Sequence, residues 1–93
     1  MAVNKVVRAI IRGRVQGVGY RDWAERQALS SGLKGYVRNL RDGSVELVLS
    51  GGNEEVDRVL SLCRQGPRLA IVSDIEVSSY GWAGEDFQVL PTS

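Results

Sequence analysis

The chain has 93 residues, 43% of them hydrophobic and 25% charged, with a formal net charge of +1. That length holds one domain, expected over residues 1–93, with a modest core, because small domains bury a smaller share of their surface than large ones. The near-neutral charge argues against a dedicated nucleic-acid binder, and the absence of histidine removes the commonest general base and the commonest transition-metal ligand together.

The longest apolar runs are strand-sized and the N-terminus has no signal-peptide core, so the expected location is the cytoplasm, with no membrane partner. A single cysteine, Cys63, permits no internal disulfide. Its place on the apolar face of a helical pattern reads as a buried structural thiol. A cysteine-phosphatase loop needs Cys and Arg separated by five residues, but Leu69 stands at that spacing from Cys63.

Val6 to Gly13 is rich in β-branched residues and partly alternates, as a strand with one face on a core does. A loop carrying Gly13, Gly17 and Gly19 leads into a breaker-free segment from Arg21, stopped by Gly32. That segment predicts a helix of roughly three turns. Its inner face would carry Tyr20, Trp23, Ala24, Ala28 and Ser31, with Leu29 off the face.

Gly35 to Leu40 and Ser44 to Ser50 read as two antiparallel strands around Arg41, Asp42 and Gly43, whose Asp-Gly pair favours a tight hairpin turn. In the second of them Val45, Leu47 and Leu49 form an apolar face, opposite a mixed face of Ser44, Glu46, Val48 and Ser50. Asn53 is then placed to cap a helix, with Glu54, Glu55 and Asp57 at the positive end of its dipole. Val56, Val59, Leu60 and Cys63 follow the i, i+3, i+4, i+7 rule, and Gly66 with Pro67 supplies the stop. A fourth strand lies within Leu69 to Tyr80, where Ile75 and Val77 alternate against Asp74, Glu76 and Ser78. Residues 81–86 read as a turn and Phe87 to Leu90 as a short strand ended by Pro91. This order predicts an α+β fold of the split β-α-β kind, with two helices on one face of a four-stranded antiparallel sheet and a short C-terminal strand added.

Two places can carry chemistry. The glycine loop lets the backbone turn its N–H groups inward, and no Ser, Thr or Asp stands ready to cap the helix that follows. Free amides at a helix N-terminus bind phosphate well, and Arg21 can add two parallel charge-assisted hydrogen bonds. The same residues also suit a plain strand-to-helix turn capped by Gly19, with Asp22 at the positive end. Asn39 has a carboxamide that both donates and accepts, so it can hold a water in line with a phosphorus atom, or instead cap the hairpin turn. A phosphate cradle with an amide beside it, and no histidine or reactive thiol, favours a substrate whose leaving group departs unaided. An acyl phosphate meets that condition, whereas a phosphate monoester calls for an acid or a metal.

The stretch Ile11 to Arg21, reading IRGRVQGVGYR, resembles the first signature of the acylphosphatases. Gly35 to Asn39, reading GYVRN, with Gly43, Val45 and Gly51 following, is similar to the second. Gly66, Pro67, Ala70 and Val72 fit as well, so the resemblance runs from the first strand to Phe87. It implies a ferredoxin-like α/β sandwich and hydrolysis of a carboxyl-phosphate anhydride without metal or organic cofactor. Arg21 would hold the phosphate and Asn39 would orient the attacking water. The backbone amides of about Gln16 to Arg21 would complete the phosphate cradle, with Val15, Gln16, Gly17, Val18, Gly19 and Tyr20 as its substrate-binding residues. The resemblance also implies that no strong enzymic base is used, the substrate's own phosphate accepting the water's proton. Tyr20 departs from the family's more usual Phe, and its ring fits the same pocket if the hydroxyl finds solvent or a partner. Arg14 and Arg38 read as solvated strand residues with a supporting role. The partners expected are a small acyl phosphate and inorganic phosphate, with the chain a monomer. The alternative is a non-catalytic phosphate-binding or regulatory module of the same fold.

Overall fold

The computed structural model describes residues 4–82 and 84–93; residues 1–3 and Ala83, which falls in the turn expected over 81–86, lie outside them. The elements are β1 (Asn4–Arg14), α1 (Tyr20–Ser30), β2 (Lys34–Asn39), β3 (Val45–Gly52), α2 (Asn53–Cys63), β4 (Ile71–Ser79) and β5 (Phe87–Val89). They build one five-stranded sheet in the order β4-β1-β3-β2-β5. β1 pairs antiparallel with β3 and β4, and β2 antiparallel with β3. β5 runs parallel to β2, with Phe87 opposite Gly35 and Val89 opposite Val37. The split β-α-β order is as expected, and the C-terminal strand makes the sheet mixed rather than antiparallel throughout.

The helix-side core joins Val7, Ala9 and Ile11 of β1, Val37 of β2, and Val45, Leu47 and Leu49 of β3 to the inner faces of both helices. Small residues let α1 lie close to the sheet: Tyr20, Ala24 and Ala28 are buried, and Leu29 is exposed as expected. Trp23 is only partly buried and Ser31 falls at the C-cap. In α2, Val56, Val59 and Cys63 are fully buried. Two expectations need correcting. Asn53 is the first residue of α2 rather than its cap, a place taken by Gly52 with no side-chain hydrogen bond. Val77 is 43% exposed, because β4 lies at the margin of the sheet, where neither helix packs over it.

The third correction concerns β3. Val45 to Leu49 are all buried, which only a strand covered on both faces permits. On the face away from the helices Glu46 lies opposite Arg38 on β2 and Ile10 on β1. Arg8 Nε and Arg38 Nε each donate to one oxygen of the Glu46 carboxylate, at 2.5 Å. Arg38 lies over the Tyr36 ring, 5.5 Å from its centroid, and the Tyr36 hydroxyl meets that of Tyr80 at 3.3 Å. Burial alone would push the Glu46 carboxyl up, but the hydrogen bonds and charges of the two arginines outweigh it and hold the group below its ordinary value of 4.5. Arg38 is thus a structural ion-pair partner rather than a solvated residue.

Candidate active site

Gly17 (φ +75°) and Gly19 (φ +79°) both take the left-handed conformation. An added Cβ would meet nothing within 4 Å at either position, so glycine is needed there for its backbone angle and not for space. The two turns bring residues 15–19 round from the end of β1 to the start of α1. Gly19 caps that helix without any side-chain bond, as the missing Ser, Thr or Asp led one to expect. The first main-chain bond runs from Trp23 N–H to the Gly19 carbonyl at 3.1 Å. The amides of Tyr20, Arg21 and Asp22 therefore precede the helical ladder and have no acceptor within it.

The open helix end forms one wall of a cleft of about 110 Å³ lined by Val15, Gly17, Gly19, Tyr20, Arg21, Asp22 and Asn39. That is several times the space one water needs, and suits a tetrahedral oxyanion. Asn39 reaches it from β2. Its register opposite Val45 puts it on the helix side of the sheet, and β2 is held on both flanks, by β3 and β5. The C-terminal segment continues this pairing, with Leu90 N–H donating to Val37 at 2.8 Å and Ser93 N–H to the Asn39 carbonyl at 3.0 Å.

Of the two readings of Asn39, the turn cap is filled by another residue. Asp42 takes it, accepting the Ser44 amide at 2.9 Å and the Ser44 hydroxyl at 2.5 Å. Among the described residues the Asn39 carboxamide and the Arg21 guanidinium make no side-chain hydrogen bond to protein, so both are free to meet a ligand in the cleft.

The side chains of two of the expected cradle residues do not line it, which leaves the part expected of their backbone amides untouched. Val18 is partly buried against the core, and the Gln16 side chain turns toward the β2–β3 turn. Asp22, read only as a dipole partner, does line it. The Tyr20 ring is buried, and its hydroxyl donates to the Cys63 carbonyl at 2.7 Å, the partner that the departure from Phe required. Cys63 is fully buried and its thiol is pushed up to about 11 by burial, which makes it inert.

The family model for acylphosphatase matches residues 7–89. The chain belongs to the acylphosphatase family. A relative from Bradyrhizobium diazoefficiens named Acylphosphatase is 48% identical over 94 residues, covering 94% of this chain and 95% of its own. An acylphosphatase structure from Coxiella burnetii superposes with a TM-score of 0.89 at 30% identity, covering 94% of this chain and 93% of that one. The acylphosphatase from Bacillus subtilis gives a TM-score of 0.87 at 31% identity over 95% and 99%. The ferredoxin-like fold and the enzyme class expected from the acylphosphatase signatures are both met.

Proposed function

We propose that this chain hydrolyses the carboxyl-phosphate anhydride of small acyl phosphates to carboxylate and inorganic phosphate, without a metal or organic cofactor. The observation that carries the reading is the meeting, in one oxyanion-sized cleft, of an uncapped helix N-terminus, Arg21 and the Asn39 carboxamide. The phosphoryl oxygens sit against the amides of the Gly17 to Arg21 turn, with the Arg21 guanidinium neutralising the charge that gathers on them. Asn39 accepts a hydrogen bond from a water and points its oxygen at phosphorus. As the new P–O bond forms, the anhydride P–O bond breaks and the carboxylate leaves with the electron pair. The water's proton passes to a phosphate oxygen, so no enzymic base is needed. The cleft grips the phosphate and the water rather than the acyl group, which fits breadth among small acyl phosphates. The reading extends to one domain acting as a monomer in the cytoplasm. Among the described residues no helix is long and apolar enough to cross a membrane.

The test is release of phosphate from benzoyl phosphate in excess chelator, with wild type, Arg21→Ala and Asn39→Ala side by side. Each substitution should lower kcat by about 100- to 1,000-fold, the usual consequence of losing a group aimed at developing charge. Arg21→Ala should also weaken inhibition by inorganic phosphate, and Asn39→Ala should leave it nearly intact. No release above the uncatalysed rate, or undiminished turnover in Arg21→Ala, overturns the reading. Phosphate binding with no turnover would mark a binding module instead.

A further inference from the structure

Gln16 lies in the turn between β1 and α1, yet its side chain faces away from the cleft. Its terminal amide Nε2 donates to the carbonyls of Leu40 and Ser44, each at 2.8 Å, using both of its hydrogens. Those carbonyls mark the two ends of the β2–β3 turn, which begins directly after Asn39. Ser44 O also accepts from Leu40 N–H at 2.9 Å, and Leu40 O from Gly43 N–H at 3.2 Å. Among the described residues no other side-chain hydrogen bond joins residues 13–22 to residues 35–45.

We propose that Gln16 is a positioning residue for the reaction: its side-chain amide clamps the phosphate-binding turn to the strand end that carries Asn39, and so fixes the distance and angle between phosphate and attacking water. The inference rests on the assignment of Arg21 and Asn39 made above. The phosphate is held by the start of α1 and the water by the end of β2, elements that share the helix-side core but, among the described residues, are joined beside the cleft by no side-chain hydrogen bond other than those of Gln16. In-line attack requires both to be fixed relative to each other, and a misplacement of about 1 Å can cost roughly 100-fold in rate. Without Gln16 each carbonyl keeps its main-chain partner, so no buried acceptor is orphaned and the fold loses little. The amides that hold phosphate also stay in place. The clamp therefore acts on kcat and not on phosphate affinity.

Gln16→Met keeps the side-chain length and removes both donors, and Gln16→Glu sets a carboxylate against the two carbonyls. Each is made in the wild-type and the Asn39→Ala backgrounds and checked by thermal melting. In the wild-type background kcat for benzoyl phosphate should fall about 10- to 100-fold, with the inhibition constant for inorganic phosphate changed by less than about 3-fold. In the Asn39→Ala background the same change should lower kcat by less than about 3-fold, because the group being positioned is gone. Equal losses in both backgrounds, an unchanged kcat, or phosphate affinity falling in step with kcat would each overturn the clamp. So would the failure of both variants to fold, which would make Gln16 a structural staple. If Asn39→Ala itself keeps wild-type kcat, or Arg21→Ala keeps phosphate affinity, the underlying site assignment fails instead.

Discussion

Tyr20 shows how one hydroxyl changes what a position does. A phenylalanine there would fill the pocket, but the tyrosine also ties the first residue of α1 to the last turn of α2 through the Cys63 carbonyl, at 2.7 Å. Burial pushes the phenol far above its ordinary value of 10.0, so it stays a neutral donor across the physiological range. Its ring also determines a neighbour. A Cβ on Gly66 would come within 2.6 Å of the Tyr20 ring, and Gly66 has φ +66°, so the position following α2 is closed to side chains on both counts. Tyr20→Phe leaves the Cys63 carbonyl buried without this donor and should cost about 1 kcal/mol. In a domain of this size that corresponds to a fall in Tm of roughly 4–8 °C. A melt unchanged within error would mean that water replaces the hydroxyl or that the bond is energetically idle.

At the scale of elements, the sheet was legible in sequence where a strand has one dry face, and less so where it has two. β1 and the two helices carry ordinary amphipathic patterns, and the Asp-Gly turn fixes the β2–β3 hairpin. The central place of β3 was hidden because Glu46 looks like a solvated residue in an alternating strand. Its burial depends on Arg38 across one strand pair and Arg8 near the other, partners 8 and 38 residues away. The candidate site was legible in the same uneven way. Glycine spacing announced the turn and Arg21 its charge, while the outward course of the Gln16 side chain depends on where the hairpin lands in space. Glu46 makes a prediction of its own. A carboxylate depressed in the folded state contributes stability that is present above its unfolded value and lost as pH falls through the folded one. Glu46→Gln should therefore destabilise the protein by about 2–3 kcal/mol near neutral pH, on the scale of hydrogen bonds to charged groups. Denaturant titrations at several pH values should show that gap hold above about pH 5 and narrow as the pH drops below 4.5, the ordinary value of the group. A gap independent of pH would show that the carboxylate charge contributes nothing to holding Arg8 and Arg38.

For the molecule as a whole, one sheet carries everything, so the cleft and the core are expected to melt together. Arg21 lies on α1, whose buried face joins the same cluster as β1, β3 and α2. Asn39 lies on β2, held between β3 and β5. A domain of this size commonly unfolds in a single cooperative step, and a ligand that binds only the folded state then raises the global melting point by mass action. Inorganic phosphate at about 100 times its dissociation constant should stabilise the protein by about 2.7 kcal/mol, a rise in Tm of roughly 10–20 °C. The rise should nearly vanish in Arg21→Ala at the same phosphate concentration, because the proposed cradle loses its cation. In Asn39→Ala it should persist, since in the proposed mechanism the amide acts on the water and not on the anion. That contrast separates the two proposed roles without any turnover. An equal loss of the shift in both variants would mean that Asn39 shapes the cradle itself, and that the division of work between helix end and strand end is wrong.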